Sequence, residues 1–282
     1  MYFIVFYSDF LDLIVDMKIK FYGSLDLDKT LDCGQCFRWF KKDRIWNGIV
    51  DGRQVYVSLE GSNILNIESD ICDVSFWSEY FDLDTDYVKI TKSLIDLDPI
   101  LCKAVSENMG VRILKQEPWE VLCSFIISQN NNIKRIKRII GRICKNFGSC
   151  SDGVYSFPSV EKIASLSIDD LDIIKSGFRS KYILDAAKCI VDEKVKFSDI
   201  YNSDVVYSEQ ILRKINGVGP KVARCVLLFG FHKLDSFPID TWMNKVLSQF
   251  YSDKTVEYFG KYAGVAQQYL FMWSRNNKNI FD

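Results

Sequence analysis

Near residue 70 the sequence changes its period, and that change limits the architecture more than any other feature. Between residues 18 and 69, short runs rich in aromatic and β-branched residues at 36–40, 45–50 and 54–59 are separated by Asp51-Gly52 and Gly61-Ser62-Asn63. That pattern predicts a small antiparallel sheet. Beyond residue 70 apolar residues return every three or four positions, as in Ile133, Ile136, Ile139, Ile140 and Ile143. The fold class expected is α+β, a small N-terminal antiparallel β-sheet domain followed by a mostly α-helical body in two parts. The expected division is a leader over 1–16, a sheet domain with flanking helices over 17–110, and a helical domain over 111–282.

The leader is apolar but carries Asp9, Asp12 and Asp16 and lacks an early Lys or Arg, so it fits neither a signal peptide nor a membrane span. Met17 is expected to open the working chain, and no membrane association is expected. An odd number of cysteines, nine, favours reduced thiols in a cytoplasm-like compartment. Cys33-Gly-Gln-Cys36 has C-x-x-C spacing, but no second cysteine or histidine pair follows it and His232 is the sole histidine. No metal site is expected, and the pair reads as small buried thiols in a strand. The formal net charge is -1, so any nucleic-acid surface must come from local clustering of the 36 Lys and Arg residues. One such cluster, Lys134, Arg135, Lys137, Arg138, Arg142 and Lys145, interleaves the isoleucine stripe. By itself it is equally an ordinary solvated helix face.

Residues 212–225, LRKINGVGPKVARC, are the most informative segment. A helical run ends at Ile215, Gly217-Val-Gly219 supplies a tight hairpin, and Pro220 falls where the first turn of a new helix tolerates proline. Gly217 and Gly219 permit close backbone approach, and the N–H groups at the new helix start form an anion site. With Lys214 and Arg224 beside it, this suits a DNA phosphate, although an ordinary helix corner has the same appearance. Lys221 sits in the first helical turn, where the helix dipole opposes a positive charge, a placement that favours a nucleophilic amine. Cys225, one turn on, shares its face. Nineteen residues after Lys221, in Phe237-Pro-Ile-Asp240, Asp240 reads as the N-cap of a helix from Thr241. A capping carboxylate is suited to stabilising positive charge on a sugar.

Together, INGVGPKVA followed by FPID resembles the helix-hairpin-helix DNA glycosylases, and a lysine at 221 points to their bifunctional glycosylase/lyase members. Three further segments are similar to the 8-oxoguanine DNA glycosylases of the Ogg type: LDCGQCFRW at 31–39, SQNNNIKR at 128–135 and YAGVAQQYLF at 262–271. The resemblance implies a DNA-repair enzyme that flips a damaged base out of double-stranded DNA. It further implies that Lys221 attacks C1′, that Asp240 stabilises the developing cation, and that the Schiff base undergoes β-elimination. Gln267 and Phe271, four apart on one helix face, would read and stack the base, with Cys225 closing the opposite side. The Gly34 carbonyl would accept N7–H of 8-oxoguanine, a hydrogen that guanine lacks, and glycine permits that approach.

In the same resemblance Asn130 fills the gap left by the flipped base, while Arg135 and Arg179 read the orphaned cytosine. Phe178 stands where better-known members have tyrosine, and Trp242 where they have a phosphate-contacting histidine, which suits a smaller microbial branch. No cofactor is implied, and the partner is DNA bound by a monomer. Two alternatives stay open on sequence alone. An alkylated-base glycosylase shares the sheet module but lacks the hairpin lysine. A non-catalytic hairpin module would bind phosphate but leaves Gly34, Asp240, Gln267 and Phe271 without a role. Iron–sulfur relatives carry four cysteines after the hairpin, whereas here none follows Cys225.

Overall fold

The computed structural model describes residues 3–5 and 15–281. Its first unit is an antiparallel sheet of β1 (Phe3–Val5), β2 (Val15–Lys20), β3 (Trp39–Lys42), β4 (Ile45–Val50), β5 (Arg53–Glu60) and β6 (Ile64–Ser69), in spatial order β1-β2-β6-β5-β4-β3. Alternation decides its inner face. Val15, Met17 and Ile19 of β2 are buried while their neighbours are exposed, and Met17 lies opposite Ile67. A short helix, α1 (Leu27–Leu31), and a second, α2 (Val74–Tyr80), complete this core around Trp39, Trp77 and Phe81. The boundary expected at Met17 falls inside β2. Val15 is 1% exposed and pairs with Ser69, so the sheet begins before Met17; the remainder of the expected leader, apart from β1, lies outside the described residues.

The helical body comprises α3 (Tyr87–Ile95), α4 (Pro99–Glu107), α5 (Pro118–Ser128), α6 (Ile133–Phe147), α7 (Val160–Ala164), α8 (Arg179–Val191), α9 (Phe197–Tyr201), α10 (Val205–Leu212), α11 (Pro220–Phe229), α12 (Thr241–Phe250) and α13 (Ala263–Asn276). A two-strand ribbon at 150–155 links α6 and α7. One part of the body joins α5, α6, α8, α10 and α11; in the other, α13 packs on α4 and α12. Although α3 and α4 precede residue 110, Tyr87, Ile90, Leu94 and Leu101 belong to the helical core, not the sheet core. On α6, Ile136, Ile139, Ile140 and Ile143 are buried as the stripe predicts. Its basic face is partly tied down, since Lys137 donates to the Trp39 carbonyl at 2.7 Å.

A buried polar joint fastens the sheet unit to the body. Arg112, fully buried, donates to the carbonyls of Tyr22, Ser24 and Asp82 at 2.8, 3.0 and 2.6 Å. The Asp82 carboxylate accepts from Thr85, Tyr87 and His232, the last at 3.1 Å. His232 lies just beyond α11, so the joint fixes that helix relative to the sheet. Burial alone would raise the carboxyl of Asp82, but His232 and the two hydroxyl donors more than reverse it and hold it below its usual range.

Candidate active site

The hairpin forms as its glycines require. Helix α10 stops at Leu212, earlier than expected, and Gly217 turns the chain with φ 80°. Gly219 is the N-cap of α11 and Pro220 follows in its first turn. No side chain caps this end. Asn216 secures the hairpin to α8 through Asp185, with its backbone N–H at 2.8 Å and its side-chain amide at 3.0 Å. Arg224, expected beside the hairpin as a phosphate contact, instead pairs with Glu209 of α10. Opposite charges one helix apart capture it; Lys214 remains exposed.

A cavity of about 670 Å³ opens between the two parts of the body. It gathers Gly34, Lys221, Cys225, Asp240, Trp242, Gln267 and Phe271 on one lining. Lys221 reaches it from the first turn of α11, its Nζ 5.2 Å from the centroid of the Phe125 ring. Phe125 stacks on Phe229 at 5.4 Å, giving that wall a rigid aromatic floor. Cys225 is buried, which pushes its thiol up, while neighbouring Lys221 pulls the other way. Asp240 caps α12 as its sequence predicts, accepting from Met243 N–H at 2.9 Å. Across the cavity, α13 contributes Gln267, Gln268, Phe271 and Arg275. Gln267 Oε1 and Gln268 Nε2 are buried without a hydrogen-bond partner, so this wall holds polar atoms that a polar guest would satisfy.

Gly34 lies in a loop, not a strand, with φ 93°. Side chains build the loop. Gln35, 1% exposed, donates to the carbonyls of Thr30 and Arg112 at 2.8 and 2.9 Å and accepts from Leu114 N–H. The thiols of Cys33 and Cys36 donate to the carbonyls of Thr30 and Leu31. Burial raises Cys33 to about 11 and also pushes Cys36 up, so both act as protonated donors. They are buried as expected but precede β3.

Asn130, Arg135, Phe178, Arg179, Gly217 and Gly219 stand outside the cavity. Asn130 is exposed with φ 45°, in the turn between α5 and α6. Phe178 is 52% exposed, its ring edge on Tyr182 and 4.4 Å from the Arg179 guanidinium. Arg179 itself is buried; burial first and the charge of nearby Arg135 second weaken its hold on its proton. Sequence reasoning missed Phe125, Gln35, Gln268 and Arg275. The YAGVAQQYLF segment contained Gln268, but nothing in the spacing set it apart from Gln267.

A small antiparallel sheet leading into a two-part helical body, with a glycine hairpin and a capping aspartate at the cleft, defines a base-excision repair protein of the HhH-GPD superfamily. Residues 123–261 match the model of that superfamily, and residues 18–122 match the 8-oxoguanine DNA glycosylase N-terminal domain. The chain belongs to the 8-oxoguanine DNA glycosylase family. It is 35% identical to the Clostridium acetobutylicum 8-oxoguanine glycosylase/lyase, solved with double-stranded DNA containing cytosine opposite 8-oxoguanine, with a TM-score of 0.85 over 98% of both chains. MBOgg1, solved with a low-affinity DNA ligand, is 33% identical with a TM-score of 0.86, covering 98% of this chain and 99% of that one. The N-glycosylase/DNA lyase of Saccharomyces cerevisiae is 39% identical over 160 residues, 50% of this chain. That match spans less than half, 42%, of the yeast protein.

Proposed function

We propose that the protein excises 8-oxoguanine from double-stranded DNA, preferentially opposite cytosine, and cleaves the strand at the resulting site. The observation that carries this reading is the meeting of Lys221, Asp240 and the unsatisfied amide of Gln267 on one cavity lining. The flipped base enters between Phe271 and Cys225, with Gln267 on its Watson–Crick edge and the Gly34 carbonyl accepting N7–H. Lys221 Nζ attacks C1′, the C1′–N9 bond breaks, and the base leaves with the electron pair. The carboxylate of Asp240 stabilises positive charge on the sugar during that step. Ring opening gives a Schiff base on Lys221. Loss of a C2′ proton then expels the 3′-phosphate by β-elimination. Asn130 occupies the vacated stack, Phe178 wedges beside it, and Arg135 and Arg179 face the orphaned cytosine, whose N3 and O2 accept N–H donors. Gly217, Gly219 and Trp242 line the strand's path.

Borohydride trapping tests the reading. Wild-type protein should become covalently linked to 8-oxoguanine·cytosine duplex. Lys221→Gln should abolish the link while leaving duplex affinity within about tenfold. Trapping of the Gln variant at wild-type yield would refute the assignment of the nucleophile.

A further inference from the structure

Along the cavity, one wall of α13 grades from buried to open. Gln267, Phe271 and Arg275 recur every four residues and all line the cavity, one turn above another. Gln267 is 5% exposed, whereas Phe271 and Arg275 are each half-buried. The three extend over about 12 Å of helix at a rise of about 1.5 Å per residue. That length is comparable with a nucleotide measured from its Watson–Crick edge to its phosphate.

Arg275, at the open end, has no counter-charge. Among the described residues no carboxylate lies within ion-pair distance of its guanidinium, and its side chain makes no hydrogen bond. All five of its N–H donors are therefore available. By contrast, Arg38, Arg112, Arg179 and Arg224 are engaged by glutamates or backbone carbonyls. The guanidinium carbon of Arg275 lies 5.4 Å from the centroid of the Phe271 ring, an attraction that holds the charge in place without consuming a donor. The cavity lining sets Lys134, Lys221 and Arg275 against a single carboxylate, Asp240. Lys134 is exposed on α6, and Lys221 must reach the sugar carbon as a neutral amine. The surplus positive charge inside the lining is thus that of Arg275. In a flipped nucleotide the base and sugar are neutral, and only the phosphates are anionic.

We propose that Arg275 is a further substrate-binding residue: its guanidinium clamps a phosphate that flanks the flipped nucleotide, while Phe271 beside it stacks on the base. This rests on the reading that the cavity receives a nucleotide flipped from the duplex. Ring and guanidinium then work as one unit, because the contact between them fixes the height of the phosphate above the plane of the base. A planar fork meets a phosphate with two parallel N–H donors, which a lysine ammonium cannot do.

The experiment compares wild type, Arg275→Gln and Arg275→Lys on 8-oxoguanine·cytosine duplexes. The duplexes are native or carry one uncharged methylphosphonate, on the 5′ or the 3′ side of the lesion. On native DNA, Arg275→Gln should raise the protein concentration for half-maximal single-turnover rate about ten- to a hundredfold. The maximal rate should stay within about threefold, because Lys221 and Asp240 are untouched. On one of the two methylphosphonate duplexes the same substitution should cost less than about twofold, since its target is already neutral. Undiminished losses on both would overturn the proposal and assign Arg275 to the base. Arg275→Lys, which keeps the charge but not the fork, should recover only part of the loss. Binding to a duplex holding a tetrahydrofuran abasic analogue, followed by fluorescence anisotropy against salt, reads the contact without excision. The slope of log affinity on log salt should become shallower by about 0.9 in Arg275→Gln and keep its wild-type value in Arg275→Lys. An unchanged slope in Arg275→Gln overturns the clamp. A wild-type protein that leaves 8-oxoguanine intact overturns the functional reading instead, and the anisotropy result still decides the clamp.

Discussion

Replacing Gly34 with alanine separates reading of the lesion from the chemistry that follows. The backbone at Gly34 has φ 93°, but a Cβ built there meets no atom within 4 Å. The substitution therefore brings conformational strain without a packing clash. Left-handed backbone costs an L-residue about 1–2 kcal/mol. In a chain of this size each kcal/mol lowers Tm by about 2–4 °C, so the fold should survive. The alternative to bearing the strain is rotation of the turn, which swings the Gly34 carbonyl away from N7–H of the base. Losing that hydrogen bond is worth about 1–3 kcal/mol, or roughly 5- to 150-fold in excision. Gly61→Ala calibrates the strain alone. It too has positive φ, 63°, and open space at Cβ, but sits in the β5–β6 turn away from the cavity. The assay measures cleavage of 8-oxoguanine and abasic duplexes by all three proteins. Gly34→Ala should lose the first activity and keep the second; Gly61→Ala should keep both at a similar Tm. Joint collapse of both activities in Gly34→Ala alone would show that the residue serves folding of the loop. Unchanged excision would place lesion reading elsewhere in the cavity.

Arg135→Ala should narrow the preference for cytosine over adenine opposite the lesion by about 1–3 kcal/mol; equal losses on both pairs would assign Arg135 to phosphate. Asp82→Asn should destabilise the protein at pH 7 by about 1–3 kcal/mol, since its Nδ2 cannot accept from the donors that the buried carboxylate now receives from Thr85, Tyr87 and His232. Because the folded carboxyl is held low, its contribution is complete above the ordinary carboxylate range and fades as pH falls below about 4, so melting curves of wild type and variant should converge there; a gap independent of pH would refute a charged Asp82. Truncation of residues 1–16 should lower Tm more than truncation of 1–14, because only the former removes Val15, whose burial contributes about 1.5–3 kcal/mol; equal melting would refute the placement of Val15 in the core.

What could be read in advance followed local rules. The sheet announced itself by short aromatic and β-branched runs between turn residues, α6 by its isoleucine stripe, and the hairpin by Gly217, Gly219 and Pro220, whose backbone restrictions act over a few residues. What could not be read depends on partners far apart in the chain. Arg224 looked like a phosphate ligand until Glu209 came beside it across the hairpin. Cys36 looked like strand, but Gln35 bonds to Thr30, Arg112 and Leu114 and bends 32–38 into a loop. Phe125 lies in a helix apolar on nearly every side, so periodicity gave no reason to aim it at a cavity. Val15 was lost to an assumed start at Met17, because two strand residues beside an apolar run carry no signal of their own.

Helix α8 ties these parts into one device. At its first turn Arg179 grips the carbonyls of the Asn130 turn, and Phe178 just before it presents an exposed ring. One turn later the Tyr182 ring lies so close to Gly217 that an added Cβ would sit 2.3 Å from it. At Asp185 the same helix receives both donors of Asn216. Side chains at 178, 182 and 185 lie along one helical face by their spacing, so a single rigid rod sets the distance between Phe178 and the hairpin. Lys221 follows that hairpin by two residues after Gly219, so its position is set by the same rod. A shift of α8 would displace Phe178, the hairpin and Lys221 together, preserving their mutual geometry. On the proposed chemistry that coupling matters more than the strength of any single contact, because the base must leave the stack on one side and meet the amine on the other.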